Sequence, residues 1–354
     1  VIVSPALLAL APMVTFYIGT YTSPNGAQGI YRAELNPATG ALSAPVLAAK
    51  AENPSFVARH GKFLYAVHET GTGEASAYSV QADGSLKLLN SKTGLGAYAC
   101  HLTVDPTGKN LITASYGGGT LVNLPISADG SLGDHTFQFG NSGTGPDKSR
   151  QEGPHMHAAY VSADGKFVYA CDLGTDEILR FHFQAATHQL QLADPRSAKT
   201  VPGGGPRHLA LSKDGKFAYL CNEMLSSVST FKIAADGGLS LVGTLSTLPQ
   251  PTPGNSTAEI FLHPHGKWLY VSNRGHNSVA VYSVDKNGSL SLVEIEDAGV
   301  KIPRGFAIDP SGHWLVIAGQ DSNDITSLRI DQKTGKLTPS GSRISVGKPV
   351  CVIF

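Results

Sequence analysis

Residues able to do chemistry fall into columns when the chain is aligned on a glycine that recurs through it. Eight positions before that glycine stand His157, Arg207 and Arg304, with Cys100 and Ala258 in the other two places. Seven positions before it stand His101, His208 and Glu259. Eight positions after it stand Glu69, Tyr116, Glu223, Arg274 and Gln320, with Leu173 as the exception. Clustered arginines suit bidentate binding of a carboxylate or phosphate. An imidazole beside a carboxylate suits activation of water. Singly, each residue reads as a solvent-facing turn group or a polar contact between repeats. Repeated in register, in a chain with only 15% charged residues, they read as a site.

Other chemistries find less support. His155 and His157 stand two apart, and on a strand such a pair shares a face and could hold a metal; no third ligand follows at motif spacing. There is no GxSxG, HExxH or GxxxxGK[ST] run, so serine-hydrolase, zincin and P-loop readings fall away. Tyr116-Gly117-Gly118-Gly119 has the look of a phosphate cradle. It lies between two strands with no helix behind it, so a bulge or close backbone approach is expected.

The glycine belongs to a turn followed by an apolar strand. Its copies are GKFLYAVHE from Gly61, GKNLITASY from Gly108, GKFVYACDL from Gly165, GKFAYLCNE from Gly215, GKWLYVSNR from Gly266 and GHWLVIAGQ from Gly312. The steps of 46 to 57 residues match a four-stranded propeller blade. A second phrase is a tight hairpin turn: TGAL at Thr39, DGSL at Asp83 and Asp129, THQL at Thr187, DGGL at Asp236, NGSL at Asn287 and TGKL at Thr334. That gives seven hairpins against six strands. Phe16 to Tyr21 supplies the missing strand, and Pro349 to Phe354 reads as the innermost strand of the same blade. The expected fold is therefore all-β, a seven-bladed β-propeller over residues 16–354 whose two chain ends share one blade and close the ring. Chain-distant columns then converge at one mouth of the central channel. Two long connections, Gly133 to Pro154 and Thr244 to Thr257, lead to that mouth.

Composition bounds the partners. The formal net charge is zero, which leaves no electrostatic footprint for nucleic acid or an anionic membrane. Cys100, Cys171, Cys221 and Cys351 are far apart, and three sit in apolar runs, so neither a disulfide framework nor a zinc site is expected. Residues 1–15 form an apolar tail, in which Ala9-Leu10-Ala11 resembles a signal-peptidase site without a basic region before it. It reads as a leader remnant or a hydrophobic tail, too short to span a bilayer.

With these residues in place, the chain resembles the propeller-type 6-phosphogluconolactonase family, whose relatives include fungal carboxy-cis,cis-muconate cyclase. The resemblance runs through YIGTYT near Tyr17, NPSF at Asn53, CHLTVDPTG at Cys100, SYGGG at Ser115, QEGPHMH at Gln151, GPRH at Gly205, NE at Asn222, SNRGH at Ser272 and PRGFAIDPSG at Pro303. It implies hydrolysis of a sugar lactone, 6-phospho-D-glucono-1,5-lactone to 6-phosphogluconate in the pentose phosphate pathway, without metal or organic cofactor. The family's proposed groups fall here on His157, Arg207, Glu223 and Arg274. His157 is preferred to His155 because it shares a column with Arg207 and Arg304. On this reading His157, with Glu223, activates water, Arg207 stabilises the oxyanion, and Arg274 and Arg304 hold an anionic substituent. His101, His155, His208, Glu259 and Gln320 complete the substrate-binding set. The expected partner is a small anionic lactone, in the cytoplasm by resemblance, or outside it if the apolar tail is an export signal. A lactonising cycloisomerase and a non-catalytic binding scaffold are the competing readings.

Overall fold

The computed structural model describes residues 12–354. The N-terminal tail of the sequence reading, residues 1–11 of it, lies outside them. Seven four-stranded antiparallel sheets are arranged as blades around a channel. Blade 1 is built from both chain ends, in the order Pro349–Ile353, Val14–Thr20, Gly29–Leu35, Val46–Lys50. Its closing pairs are Tyr17↔Ile353, Ile18↔Val352 and Gly19↔Cys351. The first strand begins at Val14, two residues before the expected boundary. Blades 2 to 7 follow in chain order, with inner strands Phe56–His60, Ala99–Val104, Met156–Val161, Pro206–Leu211, Ser256–Leu262 and Pro303–Ile308. Among the described residues the one helical element is the single 3-10 turn Ala185–Thr187, and no helix is long and apolar enough to cross a membrane.

Burial follows strand position. The second strand of a blade is packed on both faces, as in Asn110–Ser115, Phe167–Asp172 and Trp314–Gly319, all wholly buried. Such strands read as mostly apolar runs, with a few buried polar groups such as Asn110, Thr113 and Asp172, which is why the glycine phrase was so visible. Outer strands face water, as Leu239–Ser246 does. Apolar clusters lie between neighbouring blades; Tyr270 and Val281 of blade 6 meet Phe306 and Ile317 of blade 7 in one of them.

The two repeated phrases recur together because they touch. Each hairpin turn holds a left-handed residue: Gly40, Gly84, Gly130, His188, Gly237, Gly288 and Gly335. A Cβ on Gly130, Gly237, Gly288 or Gly335 would meet Phe63, Phe167, Phe217 or Trp268 of the preceding blade at 2.3 to 2.7 Å. Two steps along that same strand, a tyrosine hydroxyl donates to the turn carbonyl. Tyr17 reaches Gly84 (2.9 Å), Tyr65 reaches Gly130 (3.1 Å), Tyr169 reaches Gly237 (2.9 Å), Tyr219 reaches Gly288 (3.1 Å) and Tyr270 reaches Gly335 (2.8 Å). Blade 3 has Asn110 and Ile112 at these places, and the turn it faces is the degenerate THQL. There Asn110 Oδ1 meets His188 Nδ1 at 2.8 Å, and Thr136 donates to the His188 carbonyl. At the closing joint, Trp314 Nε1 donates to the Pro37 carbonyl at 2.9 Å and Ser327 to that of Gly40 at 2.6 Å.

Tyr65→Phe tests this latch. It leaves a buried carbonyl unpaired, so stability should fall by about 1–3 kcal/mol, seen as a lower urea midpoint at unchanged slope. A wild-type midpoint would remove the latch from the account of ring stability.

Candidate active site

Five of the seven inner strands carry a register shift at one residue, Val350, Cys100, His157, Arg207 and Arg304, and a sixth carries one at two, Ala258 and Glu259. A bulge sets two residues against one and re-aims a side chain. Neighbours that would point oppositely on a regular strand both line the channel here. The result is two stacked layers. The upper contains Ser55, Cys100, His157, Arg207 and Arg304. The lower contains Phe56, His101, His208 and Glu259. Above both is a rim of residues at the ends of the second strands, Tyr21, Glu69, Tyr116, Glu223 and Arg274.

Glu69, Tyr116, Glu223 and Arg274 of the rim and Cys100, His157 and Arg304 of the upper layer wall a cavity of about 300 Å³, while Arg207 lines the waist next to it. Glu223 is its electrostatic centre. Arg150 Nη2 lies 2.7 Å from Oε1, and Arg207 Nε and Arg274 Nη2 each lie 3.1 Å from Oε2. Burial alone would raise the pKa of this carboxyl; Arg274 and Arg207, then Arg150, reverse that and hold it at about 2. Glu223 is therefore an anion held among three guanidinium groups. Burial lowers Arg274 to about 10 although Glu223 opposes it.

His157 is buried, with Nδ1 4.0 Å from the Cys100 thiol. Burial, and then Arg207, push its pKa well below the usual imidazole range. It is a neutral imidazole on the cavity wall, and among the described residues its Nε2 has no hydrogen-bond partner. Arg304 Cζ sits 5.5 Å over the Tyr21 ring, whose hydroxyl donates to Glu69 Oε2 at 2.8 Å. Among the described residues Arg304 forms no ion pair.

The structure separates residues that the column alignment placed together. His208 and Glu259 line a waist enclosing only about 10 Å³, together with Arg207 and Arg304, and His101 lies beyond it. His101 and Glu259 face a funnel of about 340 Å³ at the far end of the channel, walled by residues such as Leu102, Ile260 and Phe261. His155 is outside the cavity wall; it stacks on Tyr116 at 4.4 Å and bonds the Tyr116 carbonyl (3.0 Å) and Glu152 (3.1 Å). His157 meets the same ring edge-on at 5.8 Å, so the bulge breaks the shared face that a metal pair would need. Among the described residues no three His, Cys, Asp or Glu side chains are grouped to hold a metal ion. Gln320 stands at the rim beyond the cavity, its Nε2 3.4 Å from Asp321. All four cysteines are buried and free. The Tyr116 glycine run is a close approach: a Cβ on Gly119 would meet Pro154 at 2.7 Å.

Arg150 was missed because no repeat column reaches it. It rides on the long connection before His155, which Gln151 pins by donating to Leu173 (2.9 Å) and Asp176 (2.8 Å). The clue available in sequence was the connection itself, with an arginine beside QEGPHMH. Tyr21 was missed because the first blade lacks the glycine phrase. Glu69 and Tyr116 stood in a column without a role, and both line the cavity.

The family described as a seven-bladed β-propeller lactonase matches residues 15–354. The chain is 34% identical over 345 residues to the 6-phosphogluconolactonase of Bacillus subtilis (strain 168), covering 96% of this chain and 97% of that one. Among solved structures, a candidate 6-phosphogluconolactonase of Bacteroides fragilis is 38% identical, with a TM-score of 0.90 over 99% of both chains. The periplasmic gluconolactonase of Pseudomonas aeruginosa is 29% identical, with a TM-score of 0.91 over 97% of this chain and 99% of that one.

Proposed function

The chain belongs to the family of seven-bladed β-propeller lactonases, and from that premise we propose that it hydrolyses an anionic sugar lactone, 6-phosphogluconolactone before others. One observation carries the choice of an anionic substrate. Arg304, which forms no ion pair among the described residues, presents its guanidinium to the cavity that a neutral His157 also lines. Four guanidinium groups, of Arg150, Arg207, Arg274 and Arg304, face two carboxylates, of Glu69 and Glu223. The excess positive charge favours an anion.

In the mechanism, His157 Nε2 takes a proton from water as the water oxygen attacks the lactone carbonyl. Arg207 has Nε on Glu223 and Nη1 on His208 and the Ala258 carbonyl, and its Nη2 donates to the developing oxyanion. The ring C–O bond then breaks and the leaving oxygen takes the proton back from the imidazolium, giving a hydroxy acid. A weak base suffices because a sugar δ-lactone is already an activated ester. Glu223 anchors Arg150, Arg207 and Arg274; Arg304 receives the phosphate.

Rates on 6-phosphogluconolactone, plain gluconolactone and carboxymuconate, corrected for spontaneous hydrolysis, test the reading. Arg304→Gln should raise KM for the phosphorylated lactone by about 10–100-fold, the worth of a charged hydrogen bond, and leave the plain lactone within about 2-fold. An equal loss on both would remove the phosphate from Arg304. Conversion of plain lactone alone would favour the activity for which the Pseudomonas relative is named. It would also suit an exported protein, whereas a phosphorylated lactone places the enzyme in the cytoplasm.

A further inference from the structure

A hydrogen-bonded chain runs through the waist of the channel. Arg207 Nη1 lies 3.3 Å from His208 Nε2, and His208 Nδ1 lies 2.8 Å from Glu259 Oε1. A guanidinium can only donate, so His208 Nε2 must be the unprotonated, accepting nitrogen. Its one proton is then on Nδ1 and points to Glu259. Glu259 Oε1 also accepts from the Ile260 amide at 3.0 Å, which holds it in place to receive that proton. The tautomer of His208 is thus fixed by its two neighbours, one in its own blade and one in the next.

We propose that Glu259 and His208 are positioning residues that act on Arg207 from behind, holding its guanidinium so that Nη2 faces the catalytic cavity, and that neither touches substrate. This rests on the reading of Arg207 as the oxyanion donor. The geometry is that of a brace. Arg207 is held at Nε by Glu223 and at Nη1 by His208 and the Ala258 carbonyl. Those contacts fix two of its nitrogens and leave the third for chemistry. Glu259 is reached from the far funnel, so its protons exchange with solvent without passing through the substrate cavity.

The brace responds to pH. Burial raises the Glu259 carboxyl to about 7, with Arg207 opposing. The groups facing the pair are Arg207 and Cys221 from the strands of blade 5, Cys351 from blade 1, Glu69 from blade 2, Cys100 and His101 from blade 3, His157 and Tyr160 from blade 4, Arg304 from blade 7, and Glu223 and Arg274 at the rim. Burial keeps both histidines at the waist neutral, and burial keeps Tyr160 protonated. Glu259 is therefore the member that changes charge near neutrality. Below that point the carboxyl is protonated and becomes a poorer acceptor for the Nδ1 proton, and Arg207 loosens. Above it the brace is tight. The kcat of the wild type should rise several-fold as pH passes upward through about 7.

Two variants and one spectrum decide it. Glu259→Gln keeps an acceptor oxygen but no titrating charge; its kcat should lose the step near pH 7 and remain near the low-pH wild-type level, with KM unchanged. Glu259→Leu leaves the Nδ1 proton without an acceptor and should cost about 10–100-fold in kcat. Nitrogen-15 NMR of labelled histidine should show His208 as the neutral Nδ1–H form from pH 5 to 8. A wild-type pH profile in active Glu259→Gln, or a KM effect instead of a kcat effect, would overturn the brace while leaving the lactonase reading intact. A His208 found as imidazolium or as the Nε2–H form would overturn it even in a protein that showed no lactonase activity.

Discussion

His157→Ala should lower kcat on a sugar lactone by about 10²–10⁴-fold, the usual worth of a positioned base, while the urea midpoint moves little. The side chain faces a cavity, makes one long polar contact to Cys100 and meets Tyr116 and His208 only edge-on, so its removal opens space that water can fill. The pH profile gives an independent check. A base works only when deprotonated, so activity is lost as pH falls through its pKa. Burial, then Arg207, hold that pKa well below 6.5, and the main acid limb of kcat/KM should lie below the ordinary histidine value. It is separable from the smaller step near 7 assigned to Glu259, which survives in no Glu259→Gln enzyme. Wild-type turnover in His157→Ala, or a principal limb above 6.5, would transfer the base to another group on the cavity wall, with Glu69 the nearest candidate by chemistry.

Glu223→Gln carries the second large effect, in stability. Three guanidinium groups converge on this carboxylate within 3.1 Å, and two of them, on Arg207 and Arg274, are themselves buried or nearly so. Removing one partner of a buried ion pair costs about 3–5 kcal/mol because the remaining charges lose their compensation. Acid unfolding should change as well. The folded-state pKa is about 2, below the ordinary 4.5; a depressed carboxyl contributes stability that is full above 4.5 and is lost as pH falls towards 2. The wild type should therefore weaken across that window, and Glu223→Gln should start weaker and vary less there. Because Arg207 and Arg274 share this anchor, kcat should fall too. Equal stability at neutral pH with an unchanged acid curve would mean that solvent, and not Glu223, neutralises the three arginines.

These expectations replace one element of the sequence reading. Residue type had made Glu223 a helper to the catalytic base. Three arginines on one carboxylate make it an anchor instead. The proposed base is then His157 alone, an imidazole kept neutral first by its burial and then by Arg207.

Sevenfold repetition could be read from the chain because each blade imposes the same local demands. A second strand packed on both faces needs a mostly apolar run, and a hairpin turn pressed under an aromatic ring needs a left-handed residue without a side chain. Even the odd turn at Thr187 was legible as odd; its partner blade lacks both the tyrosine and the aromatic ring, at least one of which every other turn receives. Period and column also brought His157, Arg207, Glu223 and Arg274 to one end of the channel before any coordinates. What sequence could not supply was depth and pairing. Alternation along a strand tells which face a side chain takes only while the register is regular, and a bulge at the channel-facing residue of most inner strands cancels that rule. His208 and Glu259 thereby sink beneath Arg207 while their chain neighbours stay above. Ion pairing depends on distance through space, and Arg150 reaches Glu223 across 73 positions of chain from a connection that belongs to no repeat. Local periodicity determined the ring; only the closed ring decided which charges meet.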